Sequence, residues 1–112
     1  MTVLIIREHS RFAVCRTARV RYSGTHALDA LLVELSLAGC RLGNVPDGLL
    51  TPGKTVSVEI EGSDPFSGIV QWTVDGSIGL KLSKRFHIFE LDRLIHLCRG
   101  ESESSGQTAV RA

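Results

Sequence analysis

Apolar and polar residues alternate along most of this chain, and over most of its length the period is two. Between Lys54 and Glu61, Val56, Val58 and Ile60 alternate with Ser57, Glu59 and Glu61, as in a strand with one face in a core and one in water. Ile78, Leu80 and Leu82 repeat the pattern against Gly79, Lys81 and Ser83, and Asp75-Gly76 just before them supplies residues suited to a tight hairpin turn. That turn predicts a partner strand over residues 66–74. Ala18, Val20 and Tyr22 alternate with Arg19 and Arg21 ahead of a Ser23-Gly24 turn, and residues 28–35 follow as a more uniformly apolar strand. A short strand at Cys40 to Leu42 makes six.

The period changes near Phe86. From there to Arg99, Ile88, Leu91, Leu94, Ile95 and Cys98 recur at three- and four-residue spacing, with Glu90, Arg93 and His96 left for water, which predicts an amphipathic helix. Arg99 suits the negative end of its dipole, and Gly100 can take the left-handed conformation that stops it. The expected fold is mainly β, a six-stranded antiparallel barrel with one C-terminal helix over its open end. Residues 13–99 form this unit, 1–12 a flexible basic leader, and 100–112 a polar, aperiodic stretch expected to be disordered.

Composition narrows the function classes. A chain of 112 residues with 43% hydrophobic content holds one domain and one core, too little for a large enzyme. A net charge of +1 is not that of a bulk nucleic-acid binder, and 5% aromatics offer few stacking platforms for single strands, so no DNA or RNA partner is expected. Positive charge concentrates in residues 1–21, where Arg7, Arg11, Arg16, Arg19 and Arg21 face Glu8 alone, and an anionic partner is expected there. No apolar run is long enough to span a membrane, and Met1 to Ile6 is too short for a secretory apolar core, so the expectation is a cytoplasmic protein without membrane insertion. Cys15, Cys40 and Cys98 suggest neither a disulfide framework nor a metal-ligand repeat, and His9, His26, His87 and His96 add no ligand spacing. No catalytic constellation is apparent, and neither enzymatic activity, a metal nor a cofactor is expected.

The chemistry is concentrated in two short motifs. Arg7-Glu-His-Ser-Arg11 places two guanidiniums where they can grip a phosphodiester, and Glu34-Leu-Ser-Leu-Ala-Gly39 supplies a carboxylate and a hydroxyl able to read a base edge. These motifs, with Val33 and Cys40-Arg-Leu42 around the second, resemble the RxxxR and (D/N)xSxxG elements of the PilZ domain, a bacterial family of cyclic di-GMP receptors. Pro52-Gly53, Gly68-Ile-Val-Gln-Trp72 and Gly76-Ser-Ile-Gly-Leu80 resemble its later landmarks, and the likeness extends over residues 7–98. It implies a barrel of six strands with a helix, and a receptor or adaptor that transmits cyclic di-GMP levels to a protein partner. Arg7, Arg11, Glu34, Ser36 and Gly39 are the ligand-binding residues it implies, with Arg16 and Trp72 as weaker candidates. Glu34 departs from the family's Asp or Asn, and its extra methylene displaces the carboxylate by about 1.5 Å.

Each assignment has a plainer competitor. Glu34 can pair with Arg16 or Arg19 on the surface. Ser36 and Gly39 can simply form a turn. Alternation groups Trp72 with Val70 and Val74, which favours a core position unless a bulge re-aims it. Arg16, Arg19 and Arg21 read as a wet strand face. The alternative function is a PilZ-like protein-interaction module without nucleotide binding.

Overall fold

A computed structural model of the chain describes residues 9–100. Six strands, β1 (Arg11–Ser23), β2 (His26–Ser36), β3 (Gly39–Gly43), β4 (Thr55–Glu59), β5 (Phe66–Val74) and β6 (Ser77–Leu82), precede one helix, α1 (Ile88–Cys98). Their order around the sheet is β1-β2-β3-β6-β5-β4, every pairing is antiparallel, and β4 returns to β1 to close the barrel. The fold is the expected one.

The alternating positions explain why it closes. Val20, Leu32, Leu42 and Val58 point inward and are wholly buried, while Arg19 and Arg21 on either side of Val20 face water. The Asp75-Gly76 hairpin joins β5 to β6 with φ of 47° and 82°, the doubly positive geometry that matches strand twist. Residues 44–54, which carry no strand period, still contribute Val45 and Leu50 to the core.

Helix α1 packs against β1 and β2 through Leu91, Leu94, Ile95 and Cys98. Burying a side chain such as Leu91 or Ile95 stabilises by roughly 1.5–3 kcal/mol. The helix starts two residues later than its apolar period, because His87 caps it. His87 Nδ1 accepts from Phe89 N at 3.2 Å, and Glu90 Oε1 accepts from His87 N at 2.7 Å. Ile88, expected on the buried face, is instead half exposed beside Phe89, which is 77% exposed. At the other end, Arg99 Nε donates to Ala13 O at 2.9 Å and fastens the helix to β1.

The leader expected through residue 12 ends sooner. Arg11 and Phe12 already pair with Ser36 and Leu35, so Arg11 belongs to the sheet. Residues 1–8, Arg7 among them, and the stretch after Gly100 lie outside the described residues.

Candidate functional site

Two extra residues in the sheet decide what faces outward. On β2, Leu32 pairs with Leu42 and Glu34 with Arg41, so Val33 is an insertion that β3 does not match. Strict alternation would put Glu34 on the side of Ala30 and Leu32, where a carboxylate without water is costly. The bulge sends it to the outer face and returns Leu35 to the core. On β5, Val70 pairs with Leu80 and Trp72 with Gly79, leaving Gln71 unmatched. Here the same shift turns Trp72 and Val74 outward, and Trp72 is 39% exposed. The core position favoured for Trp72 by alternation is therefore corrected.

The two re-aimed side chains fall on one row. Registers run Glu34 to Arg41, Arg41 to Gly79, and Gly79 to Trp72, across β2, β3, β6 and β5. The indole lies against Gly79, where any Cβ would collide with its ring. Gly39, at the start of β3, has a similar constraint, since a Cβ there would come within 2.6 Å of Leu80 O. It provides close approach rather than an unusual φ.

Ion pairs order the opposite end of the row. Arg11 donates to Glu34 Oε1 from Nε at 2.9 Å and from Nη2 at 2.6 Å. Arg41 Nη2 stands 3.9 Å from Glu34 Oε2. Glu34 thus pairs with Arg11 and Arg41, not with Arg16 or Arg19 as the surface-pair alternative has it. Ser36 Oγ accepts from Gly39 N at 3.1 Å and lies 3.2 Å from Gly39 O, so its hydroxyl builds the β2–β3 turn. Arg11, Glu34, Ser36, Gly39, Arg41 and Trp72 line one cleft of about 200 Å³.

Arg16 does not reach this cleft. It shares the side of Val14 and Ala18 on β1, is half-buried, and donates to Leu97 O at 3.3 Å and Glu61 O at 3.4 Å. The wet strand face read from the sequence thus keeps Arg19 and Arg21, paired with Asp29 and Glu59, but loses Arg16. Arg41 was missed, although its place two residues beyond Gly39 on a strand was a usable signal. Burial pushes the Cys40 thiol up to about 12 and raises Cys98 as well, which Arg16 partly opposes. Both are packing residues, while Cys15 is exposed.

A larger cleft of about 310 Å³ lies between α1 and the β4–β5 loop, lined by Phe66, Phe86, Lys84 and Arg93 among others. None of the motif residues lines it, and the smaller cleft holds the candidate chemistry. Among the described residues no helix is long and apolar enough to cross a membrane.

Residues 5–100 match the family model of the PilZ domain. No curated protein matches the chain. Among solved structures it is similar to the Bacillus subtilis inhibitor of motility MotI/DgrA, at 15% identity and a TM-score of 0.57. That likeness covers 85% of this chain and 50% of the other, so the chain spans about half the length of that protein, and at this identity it bears on fold.

Proposed function

Since the chain belongs to the PilZ domain family, whose members are receptor and adaptor domains, we propose that it is a cyclic di-GMP receptor that passes the messenger's level to a protein partner. One observation carries this reading: Arg11, Glu34, Ser36 and Gly39, separated in the sequence, line the same cleft, and Trp72 joins them there.

The ligand offers phosphates and guanines, and the cleft offers a partner for each. Arg11 exchanges the single Glu34 oxygen it holds for a phosphate oxygen pair, a charge-assisted contact that its fork can make bidentately. Glu34, released, accepts from guanine N–H groups. The exposed indole of Trp72 takes a base on its free face. Ser36 and Gly39 hold the turn that keeps Glu34 and Arg41 adjacent, and the Ser36 hydroxyl can redirect its proton to a phosphate. Arg7 completes the cationic pair. This is recognition without bond making, so the reading requires no cofactor, and it assigns the protein to the cytoplasm.

Titrating the purified protein with cyclic di-GMP, with GMP and GTP as controls, tests the proposal. Saturable binding selective for the cyclic dinucleotide supports it. Its absence at micromolar nucleotide favours a PilZ-type interaction module without nucleotide affinity. Two features favour that second reading: Glu34 already occupies Arg11, and Phe89 stands out from α1 as an exposed apolar group with only the His87 ring beside it among the described rings, 5.2 Å away.

A further inference from the structure

Resting on the nucleotide reading, the geometry points to Arg41 as the residue by which the cleft tells guanine from adenine. The other arginines of the barrel strands are committed. Arg11 holds Glu34, Arg16 holds the carbonyls of Leu97 and Glu61, Arg19 holds Asp29, and Arg21 holds Glu59. Among the described residues the Arg41 side chain makes no hydrogen bond. Its Nη2 is too far from Glu34 Oε2, at 3.9 Å, and its buried Nε has no partner at all.

Position gives this unused fork an object. Strands lie about 4.8 Å apart, so β3 is roughly 10 Å from β5. The indole of Trp72 covers Gly79 on the intervening β6. A purine stacked on that indole lies over β6 with one edge toward β3, where Arg41 lines the cleft with its side chain 41% exposed. Glu34 on the far side holds the guanidinium's charge in place without taking its donors.

The chemistry of the edge then decides the base. Guanine presents two acceptors, O6 and N7, which a guanidinium fork fits. Adenine presents N7 beside an N6 amino donor, and arginine has donors only, so one of its N–H groups meets another N–H. Glutamine has the opposite preference, since its amide pairs with adenine N6 and N7. Lysine keeps the charge and loses the fork.

Calorimetric titration of wild type, Arg41→Ala, Arg41→Gln and Arg41→Lys with cyclic di-GMP and cyclic di-AMP tests this, with melting temperatures as the check on folding. The expected result is a roughly tenfold or greater loss of cyclic di-GMP affinity in Arg41→Ala, and a roughly tenfold narrowing of the guanine-to-adenine preference in Arg41→Gln. Arg41→Lys should also narrow the preference, which a purely electrostatic role would leave unchanged. If wild type binds cyclic di-GMP and the folded variants keep its base preference, the Arg41 assignment is wrong and the receptor reading stands. If wild type binds neither nucleotide, the receptor reading fails and Arg41 falls with it.

Discussion

Arg11 donates twice to a single oxygen of Glu34, from Nε at 2.9 Å and Nη2 at 2.6 Å, across the start of β1 and the end of β2. On the proposed nucleotide reading, the carboxylate sits where a ligand phosphate would bind, and anion binding competes with an internal ion pair. The extra methylene of Glu34 supplies the reach. With Arg11 62% exposed, such a pair is worth only about 0–1 kcal/mol, so it can be displaced.

Glu34→Asp is expected to withdraw the carboxylate from Arg11 by about 1.5 Å while keeping an acceptor for guanine, and so to preserve or tighten cyclic di-GMP binding. Glu34→Ala also frees Arg11 but leaves guanine donors unpaired, and should weaken binding. Isotherms at two salt concentrations separate these outcomes from a surface-charge role, in which Asp is silent and Ala has a small, salt-sensitive effect.

Arg11→Ala should lower cyclic di-GMP affinity at least tenfold with the fold intact. A hydrogen bond to a charged group contributes roughly 1.5–3 kcal/mol, and about 1.4 kcal/mol is a factor of ten. Calorimetry with an unchanged melting temperature would confirm the loss, whereas unaltered affinity removes Arg11 from the site.

Trp72 is the chain's single tryptophan, so its emission reports on the cleft directly. Gly79→Ala should lift the indole off β6, red-shift that emission and weaken cyclic di-GMP binding about as much as Trp72→Ala does. Stacking on an aromatic ring contributes roughly 1–3 kcal/mol per base. An unshifted spectrum in Gly79→Ala would show that the ring does not depend on a bare glycine beneath it.

Burial gives an alkaline limit to stability. The folded chain holds the Cys40 thiol protonated up to about 12, against an ordinary value of 9.0. The unfolded chain therefore releases that proton first. Stability is full below the ordinary value and is lost as pH rises from there toward the folded value. Melting temperatures between about pH 8 and pH 11 should fall for wild type and fall less for Cys40→Val. Parallel curves would mean that Cys40 does not set the limit.

The strands were legible because Val56-Val58-Ile60 and Ile78-Leu80-Leu82 alternate without interruption, and α1 because Leu91, Leu94, Ile95 and Cys98 hold a helical period. The outer row was harder to read. Placing Glu34 and Trp72 on it depends on insertions at Val33 and Gln71, and nothing in those residue types marks a bulge. One unmatched residue reverses every later side chain on its strand. Alternation accordingly put Trp72 inside. Arg41 escaped notice for a related reason: its value lies in neighbours from β2 and β6, joined by pairings that the linear order does not display.

Among the described residues β4 meets β1 only from Arg19 to Arg21, so the leading part of β1 has strand-forming groups on one side that no strand takes. Helix α1 stands there instead. Arg99 donates to the Ala13 carbonyl at 2.9 Å, and Arg16 reaches back to Leu97 O at 3.3 Å. The helix is thus a guard on a sticky edge as well as a lid on the core. Detaching it offers a template on which another chain can add a strand, and any process that peels α1 away opens a route to self-assembly or aggregation.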